Sequence, residues 1–372
     1  MPLNVLYLHH VAPLSGAENS LRLLVRHLDR ARVTPYFGGP AAGAFPQALA
    51  AERVAMRAVA FGPLRDVPGV GRSVRRLCAL IRRDRIDVLH ANGPQTNVCA
   101  GLAGRLTGVP VVWHARNLLY GDMWDIDRLL APLASRIICN SEAIRRRFAG
   151  SLGWSRSLTI INAVDPLEFH PGLPREPFRA ELGLGAEEPL VGIVGRIGLG
   201  KGHEHFVAAA IRLLSAGVAA HFVIVGATLF EEDGWRAEAL RRTVKDAGVE
   251  ARVRFVGSRR DVPAVMRGLD VLVLASDAEP CGRVLFEAMG SGTAVVGTDT
   301  GGTPEIVRDG REGLLIPPRD AGALAAAIEA LVRDPERRRR LGAAGVERVR
   351  AEFTIDRYVA RTLEVYEAVR RR

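Results

Sequence analysis

Short apolar runs alternate along the whole chain with longer stretches in which apolar residues recur every three or four positions. In the first half the runs are NVLYLHH, TPYFGG, IDVLHAN, PVVWHAR, RIICNS and SLTIIN, and between them lie amphipathic stretches such as ENSLRLLVRHLD and SVRRLCALIRRD. A second series follows, with LVGIVGR, HFVIVG, VRFVGS, DVLVLAS, AVVGTD and GLLIP. Strands that are apolar throughout and separated by helix-period segments predict parallel sheets covered by helices on both faces. The two series therefore predict an α/β protein of two doubly wound, Rossmann-like domains with a cleft between them. The seam falls in NAVDPLEFHPGLPREPFRAELG, where Pro166, Pro171, Pro174 and Pro177 suit an extended linker. The expected division is 1–170, 171–352 and a terminal helix over 353–372. That helix, FTIDRYVARTLEVYEAVRRR, carries Tyr358, Leu363, Val365 and Tyr366; its pattern alone does not say which half it packs on. Ligands of such sheets bind beyond the carboxyl ends of the strands, so the strand-end turns are where chemistry is sought.

Composition narrows the class. At 372 residues, 48% hydrophobic and 25% charged, the chain can bury a full core in each half. NVLYLHHVAP is too short to span a bilayer and lacks a basic leader, and no other run approaches twenty apolar residues, so the expectation is a cytoplasmic protein. Cys78, Cys99, Cys139 and Cys281 form no CxxC pair and read as reduced thiols. His203 and His205, two positions apart, cannot share a helix face as metal ligands, and no metal is expected.

Charge changes the picture more. Residues 1–170 hold 21 Arg and no Lys against 12 acidic residues, which is nearly the whole net charge of +10. RSVRRLCALIRRDR and the run Arg145, Arg146, Arg147 contribute much of it. A solvated helix face accounts for such a bias; so does an anionic membrane surface or phosphorylated lipid. Nucleic acid is disfavoured, because no aromatic residues interleave with these arginines.

VGRIGLGKGHE, Val194 to Glu204, nearly spells a P-loop. From Gly195 it reads glycine, four residues, Gly200, Lys201, but Gly202 stands where a magnesium-binding hydroxyl is required. A dinucleotide GxGxxG is absent as well. What remains is a glycine-rich turn after a strand, with Arg196 as a forked donor, Lys201 as a compact charge, and a helix starting near Gly202 whose free N–H groups point outward. Such a turn suits a diphosphate held without metal; the plain alternative is a tight turn with two surface cations. Lys201 and Lys245 are the only lysines in the chain, against 49 arginines, which singles out this turn.

Further on, SDAEPCGRVLFEAMGSGTAVVGTDTGGTPEIV places Glu279 in a loop after DVLVLAS. Glu287 falls within a helix that starts near Gly282, whose first amides, on Gly282, Arg283 and Val284, are free donors. A carboxylate beside that end can accept two sugar hydroxyls, and one a turn or more in can reach a ribose diol. Taken alone, both acids could equally cap or salt-bridge.

EPCGRVLFEAMGSGTAVVGTDTGGTPEIV together with VGRIGLGKG resembles the retaining glycosyltransferases of GT-B fold, glycosyltransferase family 4. The resemblance runs over nearly the whole chain. SGAE (Ser15 to Glu18) is similar to the family's N-terminal glycine loop, VLHAN and VVWHARN to its strand ends, and CNSEAIRRRF and NAVDPLEF to its hinge-side segments. It implies a GT-B fold in which two Rossmann-like domains face each other across a deep cleft and the terminal helix crosses back onto the first. It implies that Arg196 and Lys201 bind the donor diphosphate, Glu287 the ribose and Glu279 the hydroxyls of the transferred sugar. Gly16 would approach the diphosphate, His114 would sit by the sugar, and Val256, Gly257 and Ser258 would lie along the base. The chain departs from the family pattern at Cys281, where an aromatic residue is common, at Ala294, where proline is common, and at Ser15, where a second glycine is usual. None of these removes a charged group, but they leave the sugar beside Glu279 unread.

The implied reaction moves a sugar from a nucleotide-diphosphate donor to a lipid-linked or saccharide acceptor hydroxyl with retention, in polysaccharide or glycolipid assembly. It needs neither cofactor nor metal, because Arg196, Lys201 and a helix N-terminus stabilise the leaving phosphate. Acceptor groups would include His9, His10, Asn92 and Arg116. The basic first half suits a lipid-linked acceptor at the inner membrane face. Competing readings are a glycosidase using the two carboxylates, another GT-B enzyme such as an epimerase or phosphorylase, and a sugar-nucleotide or membrane-surface binding module without turnover.

Overall fold

The computed structural model describes residues 2–118, 124–229 and 233–370. The chain forms two compact units, one of Met1–Ala163 with Ile355–Arg372 and one of Val164–Thr354. Met1 and the last two arginines of the expected terminal helix, Arg371 and Arg372, lie outside the described residues.

Among the described residues the first unit holds strands β1 (Leu3–Leu8), β2 (Val33–Gly39), β3 (Ala55–Ala58), β4 (Val88–Asn92), β5 (Val111–Ala115), β6 (Arg136–Cys139) and β7 (Ser157–Thr159). All pair in parallel, in the order β3-β2-β1-β4-β5-β6-β7. Both faces are apolar, which is why these strands read as continuous apolar runs. Val5 and Tyr7 of β1 enter one core with Phe37, Val88 and Val112, while Leu6 and Leu8 enter the other with Leu89 and Trp113. The helix Ile355–Arg370 closes the first of these cores, burying Tyr358, Leu363, Val365 and Tyr366. Strand β3 is the element the pattern missed. Its four residues, AMRA, include no apolar run and lie at the sheet edge, mostly half-buried.

The second unit holds β8 (Leu190–Val194), β9 (His221–Val225), β10 (Val253–Gly257), β11 (Val271–Leu274), β12 (Ala294–Thr298) and β13 (Gly313–Ile316), parallel in the order β10-β9-β8-β11-β12-β13. Val191 at its centre pairs with Phe222 on one side and Val271 on the other. Each strand was expected from its run. The proline-rich segment differs from the expected extended linker. Glu176–Glu181 is a helix with its proline in the first turn, where no N–H is needed. It buries Phe178 against Gly268, and Arg179 donates to Gly268 O and Asp270 Oδ2, both at 3.0 Å. No helix among the described residues is long and apolar enough to cross a membrane.

Candidate functional site

In the second unit the turn after β8 is built by glycines that nothing else could replace. At Gly226, after β9, a Cβ would stand 1.8 Å from Gly195 O, and at Gly202 one would stand 1.9 Å from Ala275 O. Gly202 also has φ +71°, the left-handed region, and caps the helix His203–Ser215. Asp277 N donates to Gly200 O at 2.9 Å. The turn is thereby pinned to the chain leaving β11, and the free N–H groups of the helix begin beside Lys201.

That pinning joins residues far apart in sequence. Lys201 Nζ donates to Glu279 Oε2 at 2.8 Å, and Ser276 Oγ donates to the same oxygen at 3.2 Å. Gly302 N donates to Glu279 O at 2.8 Å, and a Cβ at Gly301 would stand 2.2 Å from that oxygen, so the GG of DTGGTPE is what lets the two loops touch. Arg196 Nη1 donates to Asp233 Oδ2 at 2.9 Å, and Asp233 also accepts from Arg236 Nε at 3.0 Å. Both Arg196 and Lys201 keep about a third of the side chain exposed, at 31% and 32%. Gly282 caps the helix Arg283–Gly290, which opens at Arg283 and Val284; within it Glu287 Oε1 accepts from Arg283 Nη2 at 2.7 Å. Val256 and Gly257 end β10 and Ser258 follows, with Gly257 O accepting from Gly226 N at 2.8 Å. The ends of β8, β9 and β10 are thus stitched together beside the turn.

Two residues here were not read from the sequence as part of this turn. Asp233, 37 positions from Arg196, has no local signal that marks it. His203 is buried, with neither ring nitrogen on a partner among the described residues. Burial, with Lys201 and Arg196 adding repulsion, lowers its pKa to about 4. Chemically the site is a cradle of one guanidinium, one ammonium and helix N–H groups, with the two cations paired to Asp233 and Glu279.

In the first unit Gly16 opens the helix Gly16–Arg26, capped by Ser15 and Glu18 in a reciprocal box. His9 Nε2 meets Glu18 Oε1 at 2.9 Å, and His9 Nδ1 accepts from His10 N at 3.0 Å. Burial pushes the Glu18 carboxyl up, but His9 and Ser15 outweigh it and bring it down to about 2. Burial and His9 lower the pKa of His10. His114 is the next-to-last residue of β5, with its side chain wholly buried. Asn92 and Arg116, read as acceptor groups, are buried in a shared network. Arg116 Nε donates to Asn92 Oδ1 at 3.1 Å, Nη1 to Asn162 Oδ1 at 3.2 Å, and Nη2 lies 3.0 Å from His114 Nδ1. His90, in the middle of the neighbouring strand β4, escaped the sequence reading; its Nε2 is 3.1 Å from His114 Nδ1 and its Nδ1 meets the Tyr366 hydroxyl.

Comparison with known proteins places these features in context. Residues 174–348 match the family model for glycosyl transferases group 1, and residues 14–167 match that for glycosyltransferase family 4. The chain is 33% identical to alpha-maltose-1-phosphate synthase of Mycolicibacterium smegmatis over 312 residues, covering 76% of this chain and 79% of that protein. It is 34% identical over 322 residues to 2-deoxystreptamine N-acetyl-D-glucosaminyltransferase of Streptomyces fradiae, covering 79% and 74%. The solved structure of Anabaena HepE with UDP and glucose superposes with a TM-score of 0.86 at 25% identity, over 98% of this chain and 99% of that one.

Proposed function

The chain belongs to glycosyltransferase family 4 and has the GT-B fold, and we propose that it moves a hexose from a nucleoside-diphosphate donor to an acceptor hydroxyl with retention and without a metal ion. The observation that carries this reading is the turn at 195–202, where Arg196, Lys201 and the start of the His203–Ser215 helix converge beside Glu279. A diphosphate entering there exchanges the ion pairs Arg196–Asp233 and Lys201–Glu279 for its own charge, freeing Glu279 to accept sugar hydroxyls. Glu287 takes the ribose diol and the 256–258 strand end lies along the base.

In the reaction the bond from the anomeric carbon to the phosphate oxygen breaks with its electron pair leaving on the diphosphate. Arg196, Lys201 and the helix N–H groups stabilise that charge as it grows. The acceptor oxygen bonds to the same face of the anomeric carbon, and its proton passes to the departing phosphate oxygen. HepE was solved with UDP-glucose, which supports a UDP-hexose as the donor. Similar proteins include a Rhizobium meliloti lipopolysaccharide core mannosyltransferase and the Streptomyces enzyme acting on 2-deoxystreptamine, which supports a saccharide or lipid-linked acceptor. Incubated with UDP-glucose, and separately with GDP-mannose, the protein should release α-configured sugar, read by proton NMR before mutarotation. A β-configured first product contradicts retention.

The first unit also has a surface suited to an anionic membrane. Trp124, Leu129, Leu152 and Trp154 are exposed, at 89%, 65%, 71% and 38%, beside Arg128, Arg145 and Arg146. The Arg145 guanidinium lies over the Trp154 ring at 4.0 Å. Aromatic and aliphatic side chains flanked by arginines suit an interface of headgroups and acyl chains. The protein should sediment with phosphatidylglycerol vesicles at low salt and not with phosphatidylcholine vesicles; failure to bind the former removes the membrane from the account.

A further inference from the structure

One strained residue of the second unit reaches the glycine turn at 195–202. Among the described residues three non-glycines have a positive φ: Arg53 at +58°, Arg85 at +50° and Arg319 at +61°. The left-handed region is costly for any residue with a Cβ, because the side chain crowds the following carbonyl. Two of the three have a local reason to be there. Arg85 is the C-cap of the helix Val67–Asp84, and Arg53 follows Glu52, the C-cap of Ala44–Ala51; a left-handed residue is a common way to end a helix. Arg319 ends no helix. It stands between β13 and Asp320, the N-cap of the helix Ala321–Arg333, where glycine would take the same φ freely. Strain kept without a local cause points to a side chain that is needed where it is.

The Arg319 side chain meets the turn through Asp277. Its Nε donates to Asp277 Oδ2 at 2.8 Å. The pair is 71% exposed on the arginine side, so it contributes too little to stability to account for the strain. Asp277 itself is central to the turn. Its N–H donates to Gly200 O at 2.9 Å, one residue before Lys201. Its Oδ1 is buried, accepts no hydrogen bond among the described residues, and lies 3.7 Å from His205 Nε2, in the first turn of the helix His203–Ser215. Asp277 thus supports the turn with its backbone while placing a carboxylate next to residues proposed to hold a diphosphate. At short range a carboxylate repels such an anion unless a cation answers it. Arg319 is the cation in hydrogen-bond contact with it.

We infer that Arg319 is a positioning residue for the diphosphate site: it fixes and neutralises the Asp277 carboxylate, so that Asp277 can pin the turn without repelling the anion bound there. The inference rests on the diphosphate reading of the turn. It gives the segment after β13 a share in the site. IPPRDAG carries no phosphate-type pattern, so this role is visible only in the folded second unit.

Calorimetric titration of the full chain with UDP, and separately with GDP, tests this. Arg319→Gly removes both the strain and the ion pair. Its unfolding midpoint should equal or exceed that of the wild type, while the dissociation constant of the nucleotide that binds should rise about fivefold. Asp277→Asn keeps the backbone N–H and removes the charge, so it should bind that nucleotide at least as tightly as the wild type. In the Asp277→Asn background, Arg319→Gly should change the dissociation constant by less than about twofold, because no charge is left to neutralise. A purely structural arginine would lower the midpoint and leave affinity unmoved, or cost the same affinity with and without the Asp277 charge. Either result overturns the inference. If neither UDP nor GDP binds the wild type, the diphosphate reading falls and this inference with it. Equal binding to the wild type and Arg319→Gly defeats this inference alone.

Discussion

Lys201 and Glu279 form an ion pair within the proposed diphosphate site. The pair is about a third exposed on the lysine side, so its contribution to stability is small, at most about 1 kcal/mol. Lys201→Ala should therefore leave the unfolding midpoint nearly unchanged while lowering kcat by about 10²–10³, the usual effect of losing one donor to a developing anion. A matching loss of stability would make the lysine a structural residue. The histidines give a second prediction at this scale. His90 is lowered to about 3 and His114 well below 6.5, so the folded chain keeps both rings neutral where the unfolded chain protonates them. The unfolded state then binds more protons below pH 6.5, so the stabilisation present above that pH is lost as the pH falls. The slope is up to about 1.4 kcal/mol per pH unit for each ring, which denaturant titrations between pH 7 and 5 would reveal. Motif spacing made Arg196, Lys201, Glu279 and Glu287 legible in the sequence. Asp233, His90 and Tyr366 were not, because each acts through a contact between distant segments that leaves no periodicity behind.

At the scale of elements, hydrophobic pattern carried most of the fold. Strands buried on both faces advertise themselves as apolar runs, and twelve of the thirteen strands named above were expected in that way. The exception, β3, has four residues at the sheet edge, none of them fully buried. The Glu176–Glu181 helix was hidden by its prolines, although a proline in the first turn is compatible with a helix. The glycine turn is where element and chemistry meet, since Gly202 both caps the helix and allows the turn to lie against Ala275 O. Gly202→Ala combines a left-handed φ with a backbone clash, and should cost more than about 1 kcal/mol. It should lower the unfolding midpoint by at least about 2 °C and weaken nucleotide binding with it. An alanine variant as stable as the wild type would show that the turn is not pinned as described.

For the molecule as a whole, net charge and exposed apolar residues point the same way. The excess of arginine in residues 1–170 was plain from composition, but which face mixes it with tryptophan and leucine became visible only once the 124–154 segment was folded. Family membership follows from motifs in the right order along the chain and is shown by the comparisons. The central claim, a diphosphate site that works without metal, is tested most directly by thermal unfolding with UDP, GDP, dTDP and ATP, each in magnesium and in EDTA. A ligand at a hundredfold its Kd adds about 2.7 kcal/mol. The account predicts that one nucleoside diphosphate raises the midpoint equally in magnesium and in EDTA, and that Lys201→Ala loses the shift. Stabilisation only by ATP with magnesium would contradict it.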